Sequence, residues 1–108
     1  MHKPYNLEER TFLFAKECRL YIRTLPKNTS NIEDGKQLIR SSGSIGANYI
    51  EANEKLSDKD LIFRLKIARK EAKESKYWLQ LKSLSESLLF EIEELRKILS
   101  SIITKTSS

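Results

Sequence analysis

The sequence predicts an all-α fold, an antiparallel up-and-down four-helix bundle, and three observations carry that expectation. Only three Gly and two Pro occur in 108 residues, too few for the turns that many short strands need. Apolar residues recur at spacings of three and four along four long stretches. Short polar connections separate those stretches, the pattern of neighbouring antiparallel helices. With 39% hydrophobic and 32% charged residues, residues 1–108 are expected to form one small domain whose core comes from helix packing or subunit association.

Each helix can be placed from its caps and its period. Asn6 precedes the first run and Glu9 follows three residues later, a capping-box-like pair, and the run stops at Leu25 before Pro26. The first helix is therefore Leu7 to Leu25. Pro26 to Ser30 reads as a turn, and the second helix runs from about Asn31 to Glu54. It carries Gly35, Gly43 and Gly46, each costing about 1 kcal/mol relative to Ala, a deficit that packing must offset. Ser57, with Asp60 three residues on, caps a third helix from Asp58 to about Leu84, about 40 Å long at 1.5 Å per residue. Beyond the serine cluster Ser83 to Ser87, the residues Leu88, Ile92, Leu95, Leu99 and Ile102 define a fourth helix over 87–103, followed by a polar tail, Thr104 to Ser108.

Two of these helices have more apolar surface than one bundle interior accommodates. On the first, Leu7, Phe14, Cys18, Ile22 and Leu25 form a core stripe, yet Phe12, Leu13 and Leu20 lie on the far side. On the third, Leu61, Leu65, Ala68, Ala72 and Leu79 form one stripe and Phe63, Ile67, Tyr77, Trp78 and Leu81 another. A broad core arc inside a monomer is one account. The preferred one is a homo-oligomer in which the second stripes meet a neighbouring subunit.

Several chemistries are disfavoured by what the chain contains. The single cysteine, Cys18, cannot form an intrachain disulfide, and His2 stands at the terminus without ligand partners, so neither a metal site nor another cofactor is expected. Cys18 falls on the core stripe, where it reads as a small buried hydrophobe. MHKPYNLEER has no apolar signal-like run and no stretch approaches the roughly 18 apolar residues of a bilayer span. A soluble, cytoplasmic protein without a membrane partner is expected. Small helical ribonucleases of the toxin type place a His several residues after an Arg; here the only His precedes every Arg.

The segment QLIRSSGSIGANYIEA, Gln37 to Ala52, is the densest motif. At about 100° per residue, Ile39, Gly43, Gly46 and Ile50 share one stripe, and Arg40, Ser44, Asn48 and Glu51 share a second, polar one. SSGSIGA lacks the spacing of a phosphate-cradling loop and has no strand before it. Its glycines read as close-packing positions, with Ala68 and Ala72 of the third helix as the expected partner surface. The polar stripe holds no nucleophile with an activating base, so it reads as a hydrogen-bonded network across helices or subunits.

Net charge is +5 and the pI is near 9.4, and the third helix segregates that charge. Lys59, Lys66, Arg69, Lys70, Lys73 and Lys76 cluster on one broad side, with Asp60, Glu71 and Glu74 largely on the other; Arg19 and Arg23 add a smaller basic edge on the first helix. A solvated face with local ion pairs, such as Lys70 with Glu74, is the default account. Repeated by symmetry in a ring, the same face is suited to weak, salt-sensitive binding of an RNA or DNA backbone. No motif for reading bases accompanies it.

QLIRSSGSIGANYIEA together with KDLIFRLKIARKEAKESKYWLQLKSL resembles the bacterial four-helix-bundle family that includes the proteins encoded in 23S rRNA intervening sequences. Arg40, Ser44, Ala47, Asn48, Glu51 and Ala52 fit the first signature; Phe63, Lys66, Ala68, Glu71 and Trp78 fit the second. The resemblance is strong from about Gln37 to Leu81. It implies an antiparallel four-helix bundle assembled as a homopentameric ring, with no established enzymatic activity and a poorly defined function. The architecture is also similar to that of accessory proteins of diversity-generating retroelements, basic pentamers that bind a reverse transcriptase and nucleic acid.

Two function classes follow. The first is a non-enzymatic oligomeric accessory protein that contacts nucleic-acid phosphates through the third helix, with Arg40, Ser44, Asn48, Glu51 and Trp78 supporting assembly. The second is a protein interaction scaffold that binds no nucleic acid. An enzyme is a distant third, for want of an acid, base and nucleophile set.

Overall fold

Glu8 and Glu9 in the first turn and Arg23 in the last suit the dipole of the opening helix, α1, Leu7–Arg23. It is followed by α2, Thr29–Asn53, α3, Asp58–Lys82, and α4, Glu86–Ser107. This is a computed structural model, and it describes residues 6–82 and 86–107. There is no strand among the described residues, as an all-α bundle requires.

The ends show which local signals act. Asn6 adopts a left-handed backbone (φ 43°, ψ 51°) and makes no side-chain cap bond, so the expected capping box does not form. Its carbonyl accepts from the Arg10 N–H at 3.0 Å, and its amide Nδ2 donates to the Glu9 carboxylate at 2.6 Å. Asparagine tolerates this conformation better than most residues because its short polar side chain bonds locally. α1 ends two residues before the expected Leu25: Thr24 and Leu25 donate to the carbonyls of Tyr21 and Ile22 in a tighter closing turn.

α2 starts two residues earlier than expected, because Asn28 is the cap and accepts from the Asn31 N–H at 2.9 Å. Ser57 caps α3 as its spacing predicts, accepting from the Asp60 N–H at 3.1 Å. The Asp60 carboxylate reaches back to the Leu56 N–H at 3.3 Å. The predicted end of this helix, Ser83 and Leu84, lies outside the described residues. α4 continues through Thr104 to Ser107, which the sequence reads as a tail. There the Thr106 and Ser107 hydroxyls donate to the carbonyls of Ile102 and Ile103 at 2.8 and 2.7 Å, so polar residues fold back onto the helix instead of leaving it.

Packing runs around the bundle in chain order. α1 meets α2, α2 meets α3 and α3 meets α4, with α2–α3 the most extensive seam and α1–α4 the thinnest; the diagonal pairs stay apart. The body measures 45 × 24 × 19 Å. Phe14 and Cys18 from α1, Leu38 and Ile45 from α2, Leu65, Ala68, Ala72 and Leu79 from α3, and Ile92, Leu95 and Leu99 from α4 are buried in one cluster. Each large member contributes about 1.5–3 kcal/mol by leaving water.

Charged pairs stitch the seams. Arg10 clasps Glu91 across α1–α4 with two bonds, Nε to Oε2 at 3.0 Å and Nη2 to Oε1 at 2.7 Å. That hydrogen bond raises the Arg10 pKa. Across α3–α4, Glu93 accepts from Lys76 Nζ at 2.9 Å, and within α4 it accepts from both Nε and Nη2 of Arg96 at 3.1 Å. Arg96, then Lys76, hold the Glu93 carboxyl at about 2, far below its usual 4.5.

Because the folded state depresses this pKa, the stabilisation is complete above pH 4.5 and disappears as pH falls through about 2. Glu93→Gln should lower stability at pH 7 by about 1 kcal/mol. Denaturant midpoints of the two proteins should converge as the pH falls toward 2; a constant gap across that range would show that the charge is not responsible.

Candidate functional site

Three features compete as the functional surface: a polar seam, a lysine face and a groove. The seam lies between α2 and α3. Arg40 bonds Glu71, Nη1 to Oε1 at 3.4 Å, and also Glu74, whose carboxylate accepts from Trp78 Nε1 at 3.5 Å. Arg64 Nη1 donates to Asn48 Oδ1 at 3.4 Å, and Asn48 Nδ2 donates to the Ser44 carbonyl at 2.9 Å. Lys82 reaches Asn31 and Asp34, each at 2.7 Å. The partners step in opposite directions along the two helices, as antiparallel register demands.

The sequence-predicted stripe is thus partly assembled. Arg40, Asn48 and Trp78 join the seam, Ser44 joins through its backbone, and Glu51 lies exposed apart from it. Burial pushes the Glu74 carboxyl up, but hydrogen bonds from Arg40 and Trp78 outweigh it and the pKa falls. Glu74 is therefore an anion already matched to a cation, unlike a general base, which needs a raised pKa. Cys18 is fully buried and its thiol is pushed up to about 12 by burial, which keeps it protonated and inert.

The lysine face is on the outward side of α3. Of the six basic residues predicted there, Lys76 is drawn to Glu93 and Arg69 donates to the Ser100 hydroxyl at 3.4 Å, so both turn toward α4. Lys59, Lys66, Lys70 and Lys73 are exposed and make no ion pair among the described residues. The default Lys70–Glu74 pair does not form, because Glu74 is engaged by Arg40. Phe63, Tyr77 and Leu81 share the arc with these lysines at about 100° per residue. They remain 58, 55 and 52% exposed, while Ile67 and Trp78 of the same predicted stripe are half-buried. Helical spacing alone reveals this mixture once the basic and aromatic positions are plotted together.

The third feature is a groove of about 860 Å³ between α1 and α2, walled by Phe12, Lys16, Arg19 and Ile50 and floored by Ala15, Gly43, Gly46 and Ala47. This corrects the expected pairing of the glycines with Ala68 and Ala72. A Cβ on Gly46 would meet Thr11 Oγ1 at 2.9 Å and Thr11 Cβ at 3.3 Å, and Gly35 lies similarly against Ile22. The small stripe admits α1, whereas Ala68 and Ala72 belong to the central core.

Residues 5–106 match the sequence profile of the 23S rRNA-intervening sequence protein family. The chain belongs to that family. A solved relative is similar throughout: a protein with unknown function from the S23 ribosomal protein family of Bacteroides thetaiotaomicron, 35% identical, with a TM-score of 0.80 over 89% of this chain and 96% of the relative. No curated protein matches the chain. Among the described residues of this family member, no helix is long and apolar enough to cross a membrane. No group of three or more His, Cys, Asp or Glu side chains among them is placed to hold a metal ion.

The two central glycines should respond differently to a methyl group. Gly46→Ala collides with Thr11 and should cost about 1–3 kcal/mol. Gly43→Ala meets only Arg19 Nη2 at an ordinary 3.5 Å and should be neutral or stabilise by up to about 1 kcal/mol through helix propensity. Denaturant unfolding of both variants checks this, and equal effects would contradict the assignment of Gly46 to the α1 contact.

Proposed function

We propose that this chain is a non-enzymatic, oligomeric accessory protein that binds RNA or DNA backbones through the lysine face of α3. The observation that carries the reading is the set of exposed ammonium groups at Lys59, Lys66, Lys70 and Lys73, which make no ion pair among the described residues. The acidic residues interspersed with Lys66, Lys70 and Lys73, Glu71 and Glu74, are turned inward to Arg40, and Asp58 and Asp60, which flank Lys59, are engaged by Lys55 and by the Leu56 N–H. Positive charge left without counter-charge on one long face favours a polyanion by releasing its condensed counterions. Arg69 and Lys76 add to the field while tied to α4.

The groove between α1 and α2 supports the oligomeric part. Phe12 and Ile50 wall it in solvent while small residues form its floor, a combination that lets a second copy of the chain approach closely. The groove residues lie on α1 and α2, and the lysines lie on the outward side of α3, which makes no contact with α1; assembly through the groove then repeats the lysine face around a closed ring. A homopentamer is the state that the family resemblance implies, and a reverse transcriptase is the protein partner suggested by the similar retroelement architecture. The cytoplasm is the compartment, where the buried Cys18 thiol stays reduced. A non-enzymatic role fits the cluster of charges at the seam, whose members neutralise one another.

Native mass spectrometry should give a five-fold multiple of the chain mass. Ala47→Glu, at the groove floor, should break the assembly with the helical circular dichroism intact. A monomer at high concentration would remove the oligomeric part of the reading. For binding, the logarithm of affinity should fall linearly with that of salt, with a slope of about −0.7 per phosphate held on single strands. Lys66→Ala, Lys70→Ala and Lys73→Ala together should reduce that slope by about 2. Affinity indifferent to salt, or to this triple substitution, rules out the backbone mechanism.

A further inference from the structure

We infer that the outward face of α3 takes single-stranded nucleic acid in preference to duplex, stacking bases on Phe63 and Tyr77 while the intervening lysines hold phosphates; this rests on the backbone-binding function proposed above. A face meant only for solvent or for phosphates would have no use for rings. Phe63 and Tyr77 nevertheless lie more than half exposed on the same arc as Lys66, Lys70 and Lys73. They stand fourteen positions apart, about 21 Å along the helix axis at 1.5 Å per residue. The order along the face is ring, three lysines, ring, the alternation of stacking platform and cationic groove that binds unpaired strands.

Both rings are braced, which distinguishes them from stray surface aromatics. The Arg64 guanidinium carbon lies over the Phe63 ring, 5.8 Å from its centroid, and Arg64 is itself tied to Asn48 on α2. Tyr77 meets Trp78 edge to face, with centroids 5.1 Å apart and planes at 78°, and Trp78 is held by Glu74. Each ring is thus in contact with a partner belonging to the α2–α3 seam and keeps open surface toward solvent. An oriented ring loses less freedom when a base lands on it. Bases in a duplex are already stacked and offer only the backbone at this distance, so the rings would gain nothing there. Lysine is depleted in the cores of protein interfaces, and three exposed lysines between the two rings argue against a protein covering this face.

The test uses the assembled full chain and fluorescence anisotropy with oligo(U), oligo(dT) and a blunt duplex, each of about ten nucleotides per strand. Either single strand should bind about tenfold more tightly than duplex. Phe63→Ala and Tyr77→Ala should each weaken single-strand binding about tenfold, spare duplex binding and leave the salt slope unchanged, since no charge is removed. Emission from Trp78, the only tryptophan, should shift when single strands bind and stay unchanged in Tyr77→Ala. Both positions are exposed, and circular dichroism with native mass reports whether each variant keeps its fold and assembly. Equal binding of duplex and single strands, unaffected by the two alanines, overturns the stacking inference and leaves the backbone function standing. No binding of any probe at low salt overturns that function itself. Loss of assembly in either alanine variant makes the face a subunit contact and overturns the inference.

Discussion

Inside the bundle the Ser75 hydroxyl donates to the Ser41 hydroxyl at 2.8 Å, with both residues fully shielded from water. The lateral position of the neighbouring contacts between α2 and α3 depends on where these two meet. Sliding one helix past the other would strand buried hydroxyls, each at a cost of about 1–3 kcal/mol, whereas apolar neighbours such as Leu38 and Ile45 tolerate small shifts. In this register Arg40 falls opposite Glu71 and Glu74, and Arg64 opposite Asn48. A weakly stabilising polar pair therefore acts as a strong determinant of alignment.

The same alignment divides the surface. By drawing Glu71 and Glu74 toward α2 and Lys76 toward α4, it separates inward-turned acids from outward-turned lysines on one helix. Net charge alone would not achieve this, since Glu71 and Glu74 alternate with Lys70, Lys73 and Lys76 along the same stretch of α3. The apolar groove lies along α1 and α2, and the lysine face lies along α3, which α1 does not touch. One small bundle thus presents two chemically distinct sides without needing a second fold unit.

Much of this was legible in the sequence, and what was not shares a physical reason. The period of three to four residues located all four helices, and the Ser57–Asp60 spacing identified a cap that forms. Helical spacing also placed Phe12, Leu13 and Leu20 outside, where they are exposed. Spacing along one helix, however, does not say which neighbour each stripe meets. Gly43 and Gly46 face α1 instead of α3, and Glu74 pairs with Arg40 instead of Lys70, because both choices are made by packing between helices. Backbone compensation was equally hidden. Asn6 turns left-handed where a capping box was expected, and hydroxyl back-bonding extends α4 through a stretch that looks like a polar tail.

The thin α1–α4 seam, clasped by Arg10 and Glu91, has a kinetic consequence. Every other seam joins helices adjacent along the chain, so three hairpins can form by short loop closures, a topology of low contact order that favours rapid folding. Only the α1–α4 contact brings the two ends of the chain together. Its closure carries the largest loop-entropy cost of the four seams and is supported by the thinnest packing. The least protected amides of the helical body should therefore lie in α1, and a bundle ajar along that edge exposes Phe14 and Cys18 while α2, α3 and α4 hold together.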